Sequence, residues 1–326
     1  MTRPALIVVG LAVWLLALPG AVEAQSAGKA YRIGILHPND IAGSGSTPLF
    51  FKRLRALGYV EGRNITILRK SAHGQRRHLP EMAAELLRRE VDVIVGPGSG
   101  VSAAIEAART TPIVVAVAGD FIARGWAESL RRPGGNVTGL STQASDLTGK
   151  QLQLLKETVP GVSRIAIVAV AGDRSHAEEL RNAEEATPAL GLSLVAILVQ
   201  GPADLPGAFR RMKTEGVDGI VVLHHGYLLR MRGQMAASAR DAGLPTLFGH
   251  GREAAAGGLM AYGADTKALW RGAAEYVDKI LRGANPAELP ISQARKFNLT
   301  VNLKTASALG IKIPRAILLR ADRVIE

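Results

Sequence analysis

From Tyr31 onward, short runs of aliphatic and β-branched residues alternate with longer stretches whose apolar positions recur every three or four residues. The first pattern fits a strand buried on both faces, the second a helix with one apolar stripe. "YRIGIL" (31–36), "NITILR" (64–69), "VDVIV" (91–95) and "PIVVAV" (112–117) predict strands. Between them, "TPLFFKRLRALG" (47–58), "LPEMAAELLRRE" (79–90) and "SAAIEAAR" (102–109) predict helices; Gly58 ends the first and Pro80 stands near the start of the second. This alternation predicts a parallel sheet with right-handed crossovers and helices on both faces.

The pattern then repeats. "SRIAIVAV" (163–170) answers "YRIGIL", "VDGIVVLHHG" (217–226) answers "VDVIVGPGSG" (91–100), and "GLPTLFGHG" (243–251) answers "TTPIVVAVAG" (110–119), at offsets of 132, 126 and 133 residues. Three matched segments in one order predict an α/β fold of two Rossmann-like lobes, each with a parallel sheet. Residues 31–140 form the first lobe and 141–263 the second. The Gly-rich "RRPGGNVTGLST" (131–142) leads from one to the other. Residues 264–326 make further hinge crossings, part of them returning to the first lobe.

In an open parallel sheet, ligands bind at the carboxyl ends of the strands, where helix N-termini offer free N–H groups. Two facing lobes would therefore line a cleft with the residues just after each strand. Those are His37 to Asp40, Gly96 to Gly100, Gly119-Asp120, Gly172-Asp173, His224-His225 and Gly249-His250. The candidate ligand-binding residues among them are His37, Asn39, Ser99, Gly100, Asp120, Asp173, His224, His225 and His250. Successive residues of an extended segment point to opposite faces, so at most one of His224 and His225 should reach a ligand. A metal reading needs His37 or His250 to complete a cluster across the cleft within tight distances.

Other motifs point less far. "GPGSGVSAA" (96–104) follows a strand and opens a helix, but Val101 stands where a dinucleotide fingerprint needs its third glycine. A backbone nest for a small anion is the better use of that loop. Ser99 lies in G-S-G and not in a nucleophile elbow, and no zinc-protease or Walker motif occurs. No catalytic residue and no cofactor is expected.

With 326 residues the chain is long enough for two cores. It has no cysteine, which removes disulfides and thiolate chemistry. Arg3, the apolar run at residues 5–18 and "VEA" (22–24), which puts small residues at the positions a signal peptidase reads, predict a secretory signal cleaved after Ala24. The formal charge of +12 is spread over helix faces, without a basic tail or aromatic interleaving, which argues against nucleic acid.

Several phrases carry a family resemblance: "ALGYVEGRNI" (56–65), "LRRPGGNVTGLS" (130–141), "GKQLQLLKETVPGVSRIAIV" (149–168), "GGLMAYGAD" (257–265) and the long "KFNLTVNLKTASALGIKIPRAILLRADRVIE" (296–326). The chain resembles ABC-transporter substrate-binding proteins of the tryptophan/tyrosine type. The resemblance implies a periplasmic, monomeric protein of the type I binding-protein fold, closing on a small molecule and delivering it to an inner-membrane permease. It also implies that Ser99 and Asp120 hold the ligand's polar end and that Tyr262 belongs to the site. Where the family has Asn-Pro, Pro-Asp and an aromatic in the second lobe, this chain has Val170-Ala171, His224-His225 and His250. The expected ligand is a small carboxylate-bearing molecule, an amino acid or a related organic acid, with Asp120 opposite any ammonium. A sensor subunit presenting ligand to a membrane receptor would share every one of these residues.

Overall fold

The computed structural model describes residues 30–41, 45–142 and 144–326, and the expected signal segment lies outside them. Two sheets organise the chain. The first contains β1 (Tyr31–His37), β2 (Ile65–Ser71), β3 (Val93–Pro97), β4 (Ile113–Ala118), β5 (Val137–Ser141) and β11 (Ser292–Gln293). The second contains β6 (Arg164–Val170), β7 (Ser193–Val199), β8 (Gly219–Val222), β9 (Thr246–Phe248), β10 (Met260–Ala264), β12 (Phe297–Asn302) and β13 (Arg323–Ile325).

Strand order β5-β4-β3-β1-β2 in the first sheet is matched by β10-β9-β8-β6-β7 in the second, so the sequence repeat is a repeat of topology. All pairings in the first sheet are parallel; in the second, the β10–β12 pairing alone is antiparallel, so β12 and β13, parallel to each other, run against the rest. The central strands β1, β3, β4, β6 and β8 are apolar and almost wholly buried, as strands covered by helices on both faces must be.

The segment after residue 264 divides between the two sheets. The helix Thr266–Leu281 returns to the first, burying Leu269, Trp270, Ala273 and Val277 against Ile33, Phe50 and Val114. Strand β11 extends that sheet. The chain then crosses back, and β12, the short helices Leu303–Ala308 and Arg315–Arg320, and β13 complete the second lobe around Val301, Ala306 and Ile317. The backbone thus passes between the lobes near residues 142, 265 and 295.

The repeat also duplicates one polar device. The Asp92 carboxylate accepts the Arg32 N–H at 2.7 Å, and that of Asp218 accepts the Arg164 N–H at 2.8 Å. The Arg32 guanidinium donates to the Arg89 carbonyl, that of Arg164 to the Glu215 carbonyl. In each lobe, the aspartate of the "VD" pair therefore clamps the first strand of the repeat beside its third. These aspartates serve architecture at the strand starts, far from the strand tips.

Asp92→Ala and Asp218→Ala should each cost about 1–2 kcal/mol of stability in urea denaturation, the scale of a charge-assisted hydrogen bond lost near the surface. Ligand affinity should stay unchanged.

Candidate functional site

The carboxyl ends of β1, β3, β4, β8 and β9 converge on a cavity of about 370 Å³ between the two lobes. Of the candidate residues, His37, Asn39, Ser99, His224, His225 and His250 line it. Gly100, Asp120, Asp173 and Tyr262 do not. Gly100 lies inside the helix Gly98–Ala107, where a Cβ would stand 2.6 Å from the Leu36 carbonyl oxygen; its role is close packing of helix on strand. Asp120 Oδ1 turns back to accept the Ile122 and Ala123 N–H groups at 2.8 and 3.1 Å, so it caps its own turn. Tyr262 packs its ring on Phe297 within the second lobe.

Both His224 and His225 line the cavity wall. The reason is local: β8 ends at Val222, so strict strand alternation no longer governs the next residues. His225 and His250 occupy equivalent posts. Each has extended φ/ψ, each precedes a five-residue helix (Gly226–Arg230 and Gly251–Ala255), and each caps it through Nδ1. His225 Nδ1 accepts the Tyr227 N–H and His250 Nδ1 accepts the Arg252 N–H, both at 3.1 Å. An Nδ1 that accepts leaves the proton of a neutral ring on Nε2. His250 Nε2 then donates to Thr266 Oγ1 at 3.1 Å, and His225 Nε2 faces Asp173 Oδ2 at 3.6 Å. His224 stacks on His250 with ring centroids 5.8 Å apart, and His176, which sequence reading passed over, meets His225 edge-on at 5.4 Å.

Burial keeps this cluster uncharged. It lowers His224 to about 4 and His250 to about 3, with the neighbouring rings and arginines adding to the effect. His37, His176 and His225 are also held below the usual histidine range, chiefly by desolvation. The imidazoles therefore present neutral donors and apolar faces at neutral pH. The positive charge of the wall comes from Arg124, Arg230, Arg232 and Arg252, none of which the strand-tip rule identifies. Arg230, Arg232 and Arg252 follow the two histidine caps by two to seven residues, and that proximity was the available signal. Thr266 and Trp270, from the helix that returns to the first lobe, complete the wall. Among the described residues, no group of three or more His, Cys, Asp or Glu side chains is arranged to hold a metal ion.

Asp173 joins the lobes. It caps the helix Arg174–Ala186 by accepting the Ser175 and His176 N–H groups, and both its oxygens lie 2.8 Å from Arg124 Nη2 of the first lobe. Burial works to raise this carboxyl, yet Arg124 and the histidines beside it hold it below the ordinary value. Further bonds cross the cleft: Arg230 Nη1 to the Gly74 carbonyl at 2.6 Å, Asn39 Nδ2 to the Gly226 carbonyl at 3.4 Å, and the Asp120 N–H to Ser175 Oγ at 3.3 Å. The lobes are in contact.

Beneath the cluster, burial raises two carboxyls, Glu179 and Glu253, to about 8. Glu179 accepts from Ser175 Oγ at 3.4 Å and borders a small void with His224, Gly263 and Thr266, beside the hinge crossings.

Comparison with known proteins agrees with this architecture. Residues 49–325 match the profile of the family described as ABC transporter substrate binding protein. The chain is 23% identical over 272 residues to a tyrosine-binding protein of Clostridioides difficile (strain R20291), covering 81% of this chain and 76% of that one. It superposes on a conserved domain protein from Vibrio cholerae with a TM-score of 0.85 at 26% identity, covering 91% of this chain and 100% of that one. The ABC domain from Streptococcus pneumoniae in complex with L-Trp gives a TM-score of 0.84 at 23% identity, with the same coverage.

A Cβ on Gly226 would stand 2.9 Å from Ser99 Oγ across the cleft. Gly226→Ala should therefore wedge the lobes and weaken ligand binding about tenfold in calorimetry, while the unliganded melting temperature changes little. The titrations predict a stability maximum. Below pH 6.5 the unfolded histidines take up protons that the folded ones refuse, so stability falls with acid, by up to about 1.4 kcal/mol per pH unit for each ring. Between 4.5 and about 8 the folded state keeps protons on Glu179 and Glu253 that the unfolded state has lost, so stability falls as pH rises. The histidines outnumber the glutamates below 6.5 and drop out above it. Chemical denaturation should show a maximum near pH 6.5, and Glu179→Gln should stabilise the protein more at pH 8 than at pH 5.

Proposed function

Because this chain belongs to the ABC transporter substrate-binding protein family, we propose that it is the periplasmic capture component of an importer, taking up a small carboxylate-bearing ligand by closure of its two lobes. The observation that carries this reading is the cavity walled by the strand tips of both lobes, with hydrogen bonds running directly between them. Its 370 Å³ suits a molecule of amino-acid or small aromatic-acid size. A ligand touching both walls stabilises the closed arrangement over the open one by the contacts it makes only there.

Each part of the wall has a task in this reading. The N-terminus of the helix Gly98–Ala107, with Ser99 in its first turn, presents N–H groups and positive dipole to a carboxylate. Trp270 offers an apolar face beside His37, their ring centroids 6.2 Å apart. The neutral Nε2–H groups of the second lobe's histidines act as donors. The tyrosine-binding and L-Trp-bound relatives make aromatic amino acids the reference ligands. Export by the N-terminal signal brings the chain to the compartment where a permease of the inner membrane would meet its closed surface.

The test is a thermal-shift panel of amino acids, aromatic acids and aliphatic acids on the mature chain, followed by small-angle scattering. At 100 times its dissociation constant a ligand adds about 2.7 kcal/mol of stability. The scattering radius should shrink on binding, and Trp270 emission should change in a way that Trp270→Phe removes. Chemical conversion of the bound molecule would refute capture in favour of catalysis.

A further inference from the structure

The histidines of the cleft differ in how far the fold has already used their nitrogens. His225 and His250 each turn Nδ1 onto a following amide and Nε2 toward a protein oxygen, of Asp173 at 3.6 Å and of Thr266 at 3.1 Å. A ligand has to share those donors with partners already in place. His37 engages Asn39 through Nδ1. His176 spends Nδ1 on the Val170 N–H at 2.8 Å, and its Nε2 is sealed in the interior. His224 is different. Among the described residues no hydrogen bond engages either of its nitrogens, and neither is sealed in the interior. The residue lines both the cavity and the small void beside Glu179.

The ring is nonetheless held in place. Its face stacks on His250 with the two planes 27° from parallel, and His250 is itself pinned at both nitrogens. The base of the side chain rests against Gly249, where a Cβ would stand 2.6 Å from His224 Cβ and 2.9 Å from its Cα and N. Any side chain at 249 would push the two strand tips apart. Packing thus fixes the ring while its polar edge stays uncommitted, the arrangement of a preorganised recognition group.

The chemistry of that edge narrows the partner. Burial keeps the ring neutral, so it offers one N–H and one bare nitrogen and no charge. No backbone amide fixes which nitrogen carries the proton, unlike at His225 and His250. A ligand carbonyl matches only the protonated nitrogen, and a ligand N–H only the bare one. A hydroxyl donates and accepts, so it fits the ring in either tautomer. A ligand with no such group would leave His224 dehydrated and unsatisfied when the lobes close on it.

We propose, resting on the capture reading above, that His224 is the specificity-determining residue for a hydroxyl on the ligand, which is a small hydroxycarboxylic acid. Its carboxylate meets Ser99 and the helix start of the first lobe, and its hydroxyl meets His224 of the second. Trp270 sets shape.

Calorimetric titration of the mature protein with pairs that differ by one hydroxyl tests this. The probes are 3- and 4-hydroxybenzoate against benzoate, L-tyrosine against L-phenylalanine, and 3-hydroxybutyrate against butyrate. At least one hydroxylated probe should bind about tenfold or more tightly than its parent, the discrimination expected when a buried polar group loses its partner. The pair that shows it identifies the hydroxyl as phenolic or alcoholic. His224→Phe keeps a ring on His250 and removes both nitrogens, and it should cut the ratio within that pair to about threefold or less. His224→Gln should restore part of the ratio. Nitrogen NMR of histidine-labelled wild type should show the His224 ring responding to the hydroxylated probe and much less to its parent. If no pair separates about tenfold, or His224→Phe leaves the ratio intact, the assignment is overturned and capture by closure still stands. If no probe binds a chain that circular dichroism shows to be folded, the assignment is overturned, and the panel of the preceding section then decides capture separately. The wild-type ratios and the nitrogen spectra decide the matter should a His224 variant fail to fold.

Discussion

Asp173 is the point at which the two lobes are tied together. One carboxylate caps a helix of the second lobe, receives Arg124 from the first and faces the Nε2–H of His225. Two nearly dehydrated charges gain strongly from one another, but their desolvation costs almost as much. Such a pair fixes orientation while contributing little net free energy. Under the capture function proposed above, such a pair leaves the balance between open and closed states to whatever fills the cleft.

Around that pair the site separates charge from hydrogen bonding. The imidazoles are neutral donors, held as one tautomer by backbone amides at Nδ1, and the guanidiniums carry the charge. A histidine wall that was itself cationic would change its attraction for anions across the mildly acidic range. This one does not, because burial lowers His224 to about 4 and His250 to about 3. The cost of that arrangement falls on stability in acid rather than on recognition.

Much of the fold could be read directly from residues. Central strands covered on both faces show as unbroken aliphatic runs, so β1, β3, β4, β6 and β8 were visible, and the duplication with them. The strand-tip rule then placed His37, Asn39, Ser99, His224, His225 and His250 on the cavity wall. It failed where a side chain had a nearer partner or came from elsewhere. Asp120 turns one oxygen, Oδ1, onto two amides of its own turn, contacts that depend on backbone dihedrals and not on residue type. Arg232 and Arg252 reach the cleft from helix starts beyond the tips. Trp270 arrives on a helix that leaves the second lobe and packs on the first, a tertiary choice that no local period encodes.

The matched clamps at Asp92 and Asp218 have a consequence for how such a molecule diversifies. In the second lobe they lie at the beginning of β6 and β8, and strands of seven and four residues separate them from the tips. Footing and business end are thus insulated from one another by rigid β-structure. Mutational drift at residues 223–232 or 249–252 leaves the footing untouched, so this rim behaves as an exchangeable cassette. An old duplicated chassis could keep both its anchors while one half traded an acid for imidazoles and acquired a new appetite.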